Sequence, residues 1–361
     1  MQEEYERFVA DLPVISRPPT PVTGPKVFLL TCSTESLGSY ILSNLLEEDK
    51  TCEVYCLNRG EDAEKRQLNA SSSKGLSTDF SRVHFFSMAT GATEAWLGIK
   101  LNQYKELLNE VTHIIHNAWH VDFNIISTIG NWDVSGSDTP DSSNSSTSSH
   151  SETEPILMQR HVPEISYEDW SLPQGLGYGQ SKFVAERLIT TACKVSNIPA
   201  SIYRVCQIAG PKSSNGKWNE QECFPLILKS LTYLKALPSS LGPLEAVDWI
   251  LVDTLGKVVY ELVTSSNHDT LESDSTIESS SGLPRVYHLV NPKRTTYSDA
   301  ILPRLQSILD LPTMPFQEWV QCLCDSAANI QDMKINDNPA VKILGFYEGL
   351  VKKEREGRTQ V

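Results

Sequence analysis

Residues 26–48 read KVFLLTCSTESLGSYILSNLLEE, and this stretch decides the fold. The apolar run KVFLL (26–30) is typical of a buried β-strand, and SYILSNLLEE (39–48) has the spacing of an amphipathic helix. A short polar turn joins the two, and Gly38 stands at its end. A strand, a tight turn and a helix in this order predict the first unit of a parallel α/β sheet.

The same alternation continues beyond this stretch. EVYCLNR (53–59), VHFFSM (83–88) and THIIHNA (112–118) are predicted strands, and LNQYKELLNE (101–110) is a predicted helix. Strands that alternate with helices form parallel sheets with helices on both faces. The sequence therefore predicts an α/β protein with a Rossmann-type doubly wound parallel sheet, in which ligands bind at the carboxyl ends of the strands.

Composition narrows the classes of function. The 361 residues carry a net charge of −14 without a Lys/Arg-rich run, which argues against nucleic acid or an anionic membrane as a partner. No segment approaches the roughly 18 apolar residues that span a bilayer, and the N-terminus lacks the apolar core of a signal peptide. The eight cysteines show no zinc spacing, so we expect no metal site. Free thiols indicate a reducing compartment, and we expect a cytoplasmic protein.

Proline-rich and serine-rich stretches suggest how the chain is organised. We expect an extended lead-in over residues 1–25, a Rossmann domain over 26–215 and a substrate-binding region over 216–361. Residues 133–154 are dominated by Ser, Thr, Asp and Gly, and cannot bury enough apolar surface to order themselves. They are predicted to form a low-complexity loop, and residues 265–282 a flexible one.

The last third of the chain predicts a smaller α/β part. RVYHLVN (285–291) has the pattern of a strand, and DAILPRLQSIL (299–309) and FQEWVQCLCDSA (316–327) have the pattern of helices. We expect this part to cap the carboxyl edge of the sheet and to bind substrate there.

The strongest chemical signal is YGQSKFVAERLI, residues 178–189. Its apolar residues predict a helix, on which Tyr178 and Lys182 lie one turn apart on the same side. A lysine ammonium beside a tyrosine favours phenolate, so the phenol can exchange a proton with a carbonyl oxygen near neutral pH. YxxxK also arises by chance as two ordinary polar residues on a helix. Its place behind four alternating strands and helices favours the catalytic interpretation.

Two further positions indicate a dinucleotide. Arg59 ends the second predicted strand, where an acidic residue would select NAD and an arginine accommodates the 2′-phosphate of NADP. The sequence has Asn58 and Arg59 there and no acid, so NADP is preferred. The alternative is that Arg59 is an ordinary solvated arginine after a strand, with no role in binding. Asn117 and Ala118 close the fourth strand and are predicted to lie over the cofactor, with the small alanine allowing close approach.

A longer run of matches resembles the thioester reductase family of extended short-chain dehydrogenase/reductases. These reductases typically end nonribosomal peptide synthetases, hybrid polyketide synthases and carboxylic acid reductases, particularly the fungal synthetase-like kind. The resemblance covers about residues 25–350. It is carried by YGQSK (178–182), IYRVCQIAG (202–210), GKWNEQECFP (216–225), VDWILVD (247–253), HLVNPKRTTYSDAI (288–301) and NPAVKILGFYEGL (338–350).

The resemblance implies a reaction and roles for particular residues. NADPH would reduce an acyl thioester on the phosphopantetheine arm of a carrier, giving an aldehyde or an alcohol, as part of secondary-metabolite biosynthesis. Tyr178 would donate the proton, Lys182 would bind the nicotinamide ribose and tune Tyr178, and Gln207 would lie near the nicotinamide. The region around Trp249 would shape the substrate pocket. No carrier segment is visible in the sequence, so we expect the acyl carrier protein or domain to act in trans.

The glycine-rich turn departs from the family pattern TGSTGSLGS. Thr31, Thr34, Ser36, Leu37 and Gly38 remain and are predicted to hold the cofactor, with Gly38 serving close packing of helix against strand. Cys32 and Glu35 replace the first two glycines. A positive φ at either position would strain the backbone, and a Cβ there narrows the space for phosphate. We also expect the Glu35 carboxylate to satisfy the helix N-terminus and to compete with the cofactor for it.

The second departure concerns the serine or threonine that normally completes the Ser/Thr-Tyr-Lys set. Thr128 is the candidate by resemblance, yet it follows Asn117 by only eleven residues. A parallel strand needs a crossover of a dozen or more residues, usually a helix. A helix and most of a strand are therefore predicted to be missing, through a true deletion or a misjudged splice boundary.

Three functions stay open on the sequence alone. The first is an active NADPH-dependent reductase. The second is a degenerate, non-catalytic relative that binds an acyl carrier or another partner, which Cys32, Glu35, Ala89 in place of an adenine-binding aspartate, and the missing crossover favour. The third is an extended epimerase or dehydratase, which shares YxxxK but which the GKWNEQ and VDWILVD matches disfavour.

Overall fold

The computed structural model describes residues 2–15, 24–88, 95–118, 162–172, 177–265, 282–328 and 337–359. Thr128, the low-complexity loop 133–154 and most of the loop 265–282 lie outside these residues. Contacts divide the described chain into two units. The first holds residues 2–15, 162–172, 177–204 and 282–288, and the second holds 24–88, 95–118, 205–265, 289–328 and 337–359. This grouping differs from the expected division at residue 215, which stays a prediction.

The described elements alternate as the sequence predicts in their first half. The helices are α1 (Gln2–Ala10), α2 (Ser36–Glu48), α3 (Ala63–Ser73), α4 (Leu101–Glu110), α5 (Gly177–Ser196), α6 (Cys223–Leu234), α7 (Val252–Ser265), α8 (Leu302–Leu309), α9 (Phe316–Ala328) and α10 (Leu344–Thr359). The strands are β1 (Val27–Thr31), β2 (Glu53–Arg59), β3 (Val83–Met88), β4 (His113–Ile115), β5 (Ser201–Val205), β6 (Ile208–Ala209), β7 (Leu237–Pro238), β8 (Ala246–Val247), β9 (Ile250–Leu251), β10 (Arg285–Leu289), β11 (Thr295–Thr296) and β12 (Thr313–Met314).

A four-stranded parallel sheet organises the second unit. Its order is β3-β2-β1-β4, and the pairs β1–β2, β1–β4 and β2–β3 are all parallel. Phe28 and Leu30 are fully buried, and Leu29 packs in a cluster that includes Leu107 of α4. Consecutive buried apolar residues are expected where helices cover both faces of a parallel sheet. The predicted Rossmann-type α/β fold is confirmed.

Strand β4 ends this sheet within the described residues. It pairs with β1 alone there, and the side chain of Ile114 is 68% exposed. The crossover and strand predicted to be missing would fall within residues 119–161, outside the described chain, so their loss stays a prediction.

The C-terminal part of the second unit is mainly helical. Trp319 of α9 and Tyr347 of α10 are fully buried and pack edge to face, with ring centroids 5.9 Å apart. Its strands β7, β8, β11 and β12 have two residues each. The predicted strand 285–291 is β10, which pairs with β5 instead of joining this part. The predicted helix 299–309 begins as a π-helical turn over Tyr297–Ile301 and continues as α8.

The first unit joins the N-terminal segment to helix α5. The lead-in expected to be extended over residues 1–25 instead begins with α1, because Tyr5 is an apolar anchor that packs on Trp170 with centroids 5.2 Å apart. The Tyr5 hydroxyl also hydrogen-bonds Thr191 of α5. Among the described residues, no helix is long and apolar enough to cross a membrane.

Candidate dinucleotide site and catalytic helix

The turn between β1 and α2 keeps the glycine-type backbone at one of its two substituted positions. Cys32 has φ 53°, in the left-handed region that glycine favours, so this buried cysteine carries backbone strain as expected. Glu35 has φ −75° and ψ 175° and is unstrained. Glu35 is the N-cap residue of α2, but its side chain makes no capping hydrogen bond and is exposed. The expectations of strain and of capping by Glu35 were therefore wrong.

Gly38 packs helix against turn as predicted. A Cβ at this position would lie 2.1 Å from the carbonyl oxygen of Cys32 and 2.9 Å from the α-carbon of Ser33. The hydroxyl of Ser39 bonds the carbonyl oxygens of Ser33 at 3.1 Å and of Glu35 at 2.8 Å. The first helical turn is thereby held to the strand end, and the N–H groups at the start of α2 point outward without a partner in the helix.

Asn58 of β2 fixes the turn from the neighbouring strand. Its side-chain Nδ2 donates to Ser33 Oγ at 2.9 Å, and its Oδ1 accepts from the Thr34 N–H at 3.4 Å. Asn58 is 1% exposed, so these bonds satisfy a buried amide. The sequence analysis named Asn58 only because it is not an acid and did not predict that it holds the turn, although a polar residue near the end of an otherwise apolar strand was a usable signal.

Thr31, which is predicted to hold the cofactor, also has a structural role. Its Oγ1 accepts hydrogen bonds from the backbone N–H groups of Asn117 at 2.9 Å and Ala118 at 3.0 Å, and lies 3.3 Å from His116 Nδ1. The ends of β1 and β4 are joined in this way. Asn117 and Ala118 consequently lie beside the turn, where the sequence predicts a cofactor.

A cavity of about 360 Å³ opens at the carboxyl ends of β1 and β2. Residues of the turn and two arginines line it: Cys32, Thr34, Glu35, Asn58, Arg59, Gly60 and Arg66. Arg66, on α3, was not predicted. Its guanidinium donates to the backbone carbonyl of Arg59 and, from Nε at 3.1 Å, to that of Glu61.

The residues of this cavity fit a phosphorylated part of a dinucleotide. The guanidiniums of Arg59, at the end of β2, and Arg66, on α3, suit a phosphate group, since arginine binds phosphate with several directed N–H groups. Glu35 is the discordant residue, because its carboxylate lines the same cavity beside the helix end that would receive the diphosphate.

Lys74 supplies a cation near that carboxylate. Its Nζ donates to the Ala70 carbonyl at 3.2 Å and to Ser39 Oγ at 3.4 Å. Burial lowers the pKa of Lys74, and the charge of Glu35 opposes that change. The lysine thus partly offsets the carboxylate at the start of α2.

Tyr178 and Lys182 both lie in α5 of the first unit, one helical turn apart as predicted. Burial lowers the pKa of Lys182 to about 8, against a smaller opposite effect of Glu186 one turn further on. At pH 7 the ammonium therefore remains mostly charged. A lysine that is partly desolvated and still cationic can stabilise a nearby tyrosine phenolate, as the sequence predicts for Lys182.

Gln207 and Trp249 lie in the second unit, near a half-buried carboxylate that was not predicted. Glu222 Oε2 accepts from Trp218 Nε1 at 2.9 Å and from Gln207 Nε2 at 3.3 Å. Burial raises the pKa of Glu222 to about 7. Phe224 packs edge-on against Trp249, with centroids 4.7 Å apart, so the expected substrate region is an aromatic cluster beside a titrating acid.

The parallel sheet and the site at its carboxyl edge define an α/β protein with a Rossmann-type fold. The NAD-binding family described as "Male sterility protein" matches residues 30–128 and 141–259, which is more than half of the chain. A nicotinamide dinucleotide is therefore the class of cofactor.

The relatives narrow the assignment. The chain is 33% identical over 365 residues to a carboxylic acid reductase of Neurospora crassa, covering 96% of this chain and 33% of the relative. The terminal R domain of the myxalamid PKS-NRPS pathway has a TM-score of 0.68 at 21% identity, over 95% of this chain and 84% of that one. A thiolation-reductase di-domain from an archaeal non-ribosomal peptide synthetase has a TM-score of 0.56 at 18% identity, over 96% and 71%.

The chain belongs to the thioester reductase domain family. It spans about a third of the length of the Neurospora relative. The solved structures, at this identity, support the fold alone. Membership in this family favours a reductase over an epimerase or a dehydratase.

Proposed function

We propose that the chain is an NADPH-dependent reductase of carrier-bound acyl thioesters. The observation that supports this proposal is the cavity at the ends of β1 and β2, which Arg59 and Arg66 line and where two guanidiniums would suit a 2′-phosphate. Membership in the thioester reductase family supports the substrate class. The carboxylic acid reductase and the thiolation-reductase di-domain among the similar proteins agree with a carrier as partner.

The residues of the chain have distinct roles in this reaction. NADPH, when bound, supplies the hydride that adds to the thioester carbonyl carbon. Tyr178 gives its phenolic proton to the carbonyl oxygen, so the product of this step is a neutral hemithioacetal. The Lys182 ammonium stabilises the phenolate that is left. The hemithioacetal then loses its hydroxyl proton and its C–S bond, which releases an aldehyde and a free thiol on the pantetheine arm.

Substrate binding is assigned to the aromatic cluster of Trp218, Phe224 and Trp249 beside Gln207. Aromatic side chains provide apolar contact for an acyl chain, while the Gln207 amide offers polar contact. The carrier protein or domain delivers the acyl chain, in trans as the sequence predicts, and secondary-metabolite biosynthesis is the setting we favour. All eight cysteines are free thiols, which agrees with a reducing, cytoplasmic location.

A cofactor titration tests the proposal first. NADPH is titrated into the protein while its own fluorescence is followed, with NADH as the comparison. We expect saturable binding of NADPH at micromolar concentration and binding of NADH at least about tenfold weaker. An acyl-S-pantetheine is then reduced with NADPH, and aldehyde is measured by hydrazone trapping. If no saturable binding is seen at millimolar NADPH, the proposed reductase function is wrong.

The degenerate, non-catalytic alternative also has a specific observation in its favour. Glu35 lines the candidate cofactor cavity, and Cys32 has a strained backbone at a position where the family pattern TGSTGSLGS has glycine. If NADPH does not bind, replacing Glu35 and Cys32 together with glycine separates the causes. Binding restored by the double change locates the fault in the turn, and binding still absent shifts it to the crossover after Ala118.

A further inference from the structure

An ion pair in the first unit connects helix α5 to strand β5. Arg204 Nε lies 3.0 Å from Glu186 Oε1, and Arg204 Nη2 lies 2.7 Å from Glu186 Oε2. The side chains are 9% and 14% exposed, respectively. One arginine therefore engages both oxygens of this carboxylate in a largely buried setting, where such bidentate bonds are strong and directional.

Arg204 is itself held on several sides. Its Nη2 donates to the Ile165 carbonyl at 2.9 Å, its Nη1 lies 3.2 Å from His288 Nε2, and its guanidinium lies 5.3 Å from the centroid of the Tyr167 ring. Ile165 and Tyr167 lie in the segment 162–172, and His288 lies in β10. The arginine cannot follow its carboxylate partner if Glu186 turns away, so it fixes where Glu186 points.

Glu186 follows Lys182 by one turn of α5, the spacing at which side chains on a helix interact. The charge of Glu186 stabilises the Lys182 ammonium against burial. Arginine binds both oxygens of Glu186 and offsets part of its negative charge. The carboxylate therefore stabilises the Lys182 ammonium less than it would if it could turn toward the lysine. Among the described residues, the charged and titratable groups around the Glu186–Arg204 pair include Lys182, Tyr167, His288 and, at the His288 N–H, Glu164.

We propose that Glu186 and Arg204 are positioning residues for Lys182, with Arg204 restraining the carboxylate that would otherwise turn toward the ammonium. The importance of this ion pair for catalysis rests on the proposed function, because Tyr178 and Lys182 act together only in the proposed reductase reaction. The arrangement itself concerns the free protein and can be tested without cofactor or substrate. It predicts opposite effects for the two members of one ion pair.

The test measures the protonation of Lys182 directly. The folded protein is pulse-labelled with acetic anhydride between pH 6 and 10, and acetylation of the peptide carrying Lys182 is quantified by mass spectrometry. The unchanged protein is expected to show a midpoint of about 8. Glu186→Gln removes the stabilising charge and should lower the midpoint by about half a pH unit or more. Arg204→Met releases the carboxylate toward lysine and should raise it by about one unit.

Opposite shifts distinguish positioning from mere structural support, because loosening the helix would move both midpoints in the same direction. Glu168→Gln is the matched control. This change also removes a carboxylate that forms ion pairs with α5, through Lys194 and Arg187. It should leave the acetylation midpoint of Lys182 unchanged. Arg204→Lys should restore a value near that of the unchanged protein. If Arg204→Met does not fold, a folded Glu186→Gln variant with an unchanged or higher midpoint overturns the proposal.

Reductase activity gives an independent reading. If the unchanged protein does not reduce an acyl thioester with NADPH, the proposed function is refuted while the labelling result still stands. Equal midpoints in all folded variants would refute the positioning role while leaving the reductase intact.

Discussion

The carbonyl oxygen of Cys32 and the α-carbon of Gly38 lie so close that a Cβ on Gly38 would be 2.1 Å from that oxygen. The obstacle is backbone, which cannot rotate aside as a flexible side chain can. Gly38→Ala should therefore lower the free energy of unfolding by about 3 kcal/mol, as forced overpacking does. Urea unfolding followed by tryptophan fluorescence measures the change.

Gly349→Ala is the control for this substitution. Gly349 lies inside α10 with no atom near its missing Cβ, so alanine should stabilise the protein by about 0.5–1 kcal/mol through helix propensity. A Gly38→Ala variant as stable as the unchanged protein would contradict the packing that we assign to the turn.

The local pattern of the sequence predicted most of the sheet and less of the site. Strands β2 and β3 and helix α4 begin and end at the predicted residues, because unbroken apolar runs and helical spacing are properties of the chain itself. Asn58 and Arg66 were missed, since their partners are fixed only when β1, β2 and α3 pack together.

At Glu35 the backbone differs from what the family pattern led us to expect. The expectation of strain assumed that both substituted glycine positions need a positive φ. The backbone places that demand on Cys32 alone, and Glu35 takes an ordinary extended conformation. A family pattern records which residue is usual at a position. It does not say which physical reason, backbone angle or space for a ligand, keeps that residue there.

Arg59→Gln tests the preference for a phosphorylated ribose. The change should weaken NADPH binding by about tenfold to a hundredfold and leave NADH binding nearly unchanged, because in the proposed complex Arg59 binds the 2′-phosphate, which NADH lacks. Fluorescence titration with each cofactor gives both constants. Lys65→Gln is the matched control, since it removes an exposed cation from α3 that lines a different cavity. An equal loss for both cofactors would show that Arg59 acts on stability or elsewhere on the nucleotide.

Glu35→Gln tests the discordant carboxylate. Two like charges about 4 Å apart repel by roughly 4 kcal/mol at an effective dielectric of about 20, and solvent at this exposed side chain reduces that value. We expect NADPH and NADH to bind about tenfold tighter and 2′-AMP, which lacks the diphosphate, to bind as before. Lys74→Met should weaken both dinucleotides. A gain for 2′-AMP as well would place Glu35 beside the ribose phosphate.

Glu222→Gln tests the titrating acid beside Trp218. The folded-state pKa of about 7 lies above the ordinary value of 4.5, so the folded protein holds the proton more firmly than the unfolded chain. Stability is then complete below pH 4.5 with respect to this group and falls as pH rises toward 7, by up to about 3 kcal/mol. The glutamine variant keeps an acceptor for Trp218 and should lose this dependence, so its Tm at pH 8 should exceed that of the unchanged protein. Tryptophan fluorescence with no transition near pH 7 would argue against a buried acid there.

Ile114 tests where the sheet ends. Ile114 pairs in register with Leu29 of β1, and such partners point to the same face, yet Leu29 is 7% exposed and Ile114 is 68% exposed. If β4 is the true edge, Ile114→Ala should cost less than about 1 kcal/mol, while Ile115→Ala, at a site 7% exposed, should cost about 2–4 kcal/mol. Urea unfolding of both variants measures this difference at neighbouring residues of one strand. Equal costs would mean that another segment covers Ile114 in solution, and the prediction of a lost crossover would then be wrong.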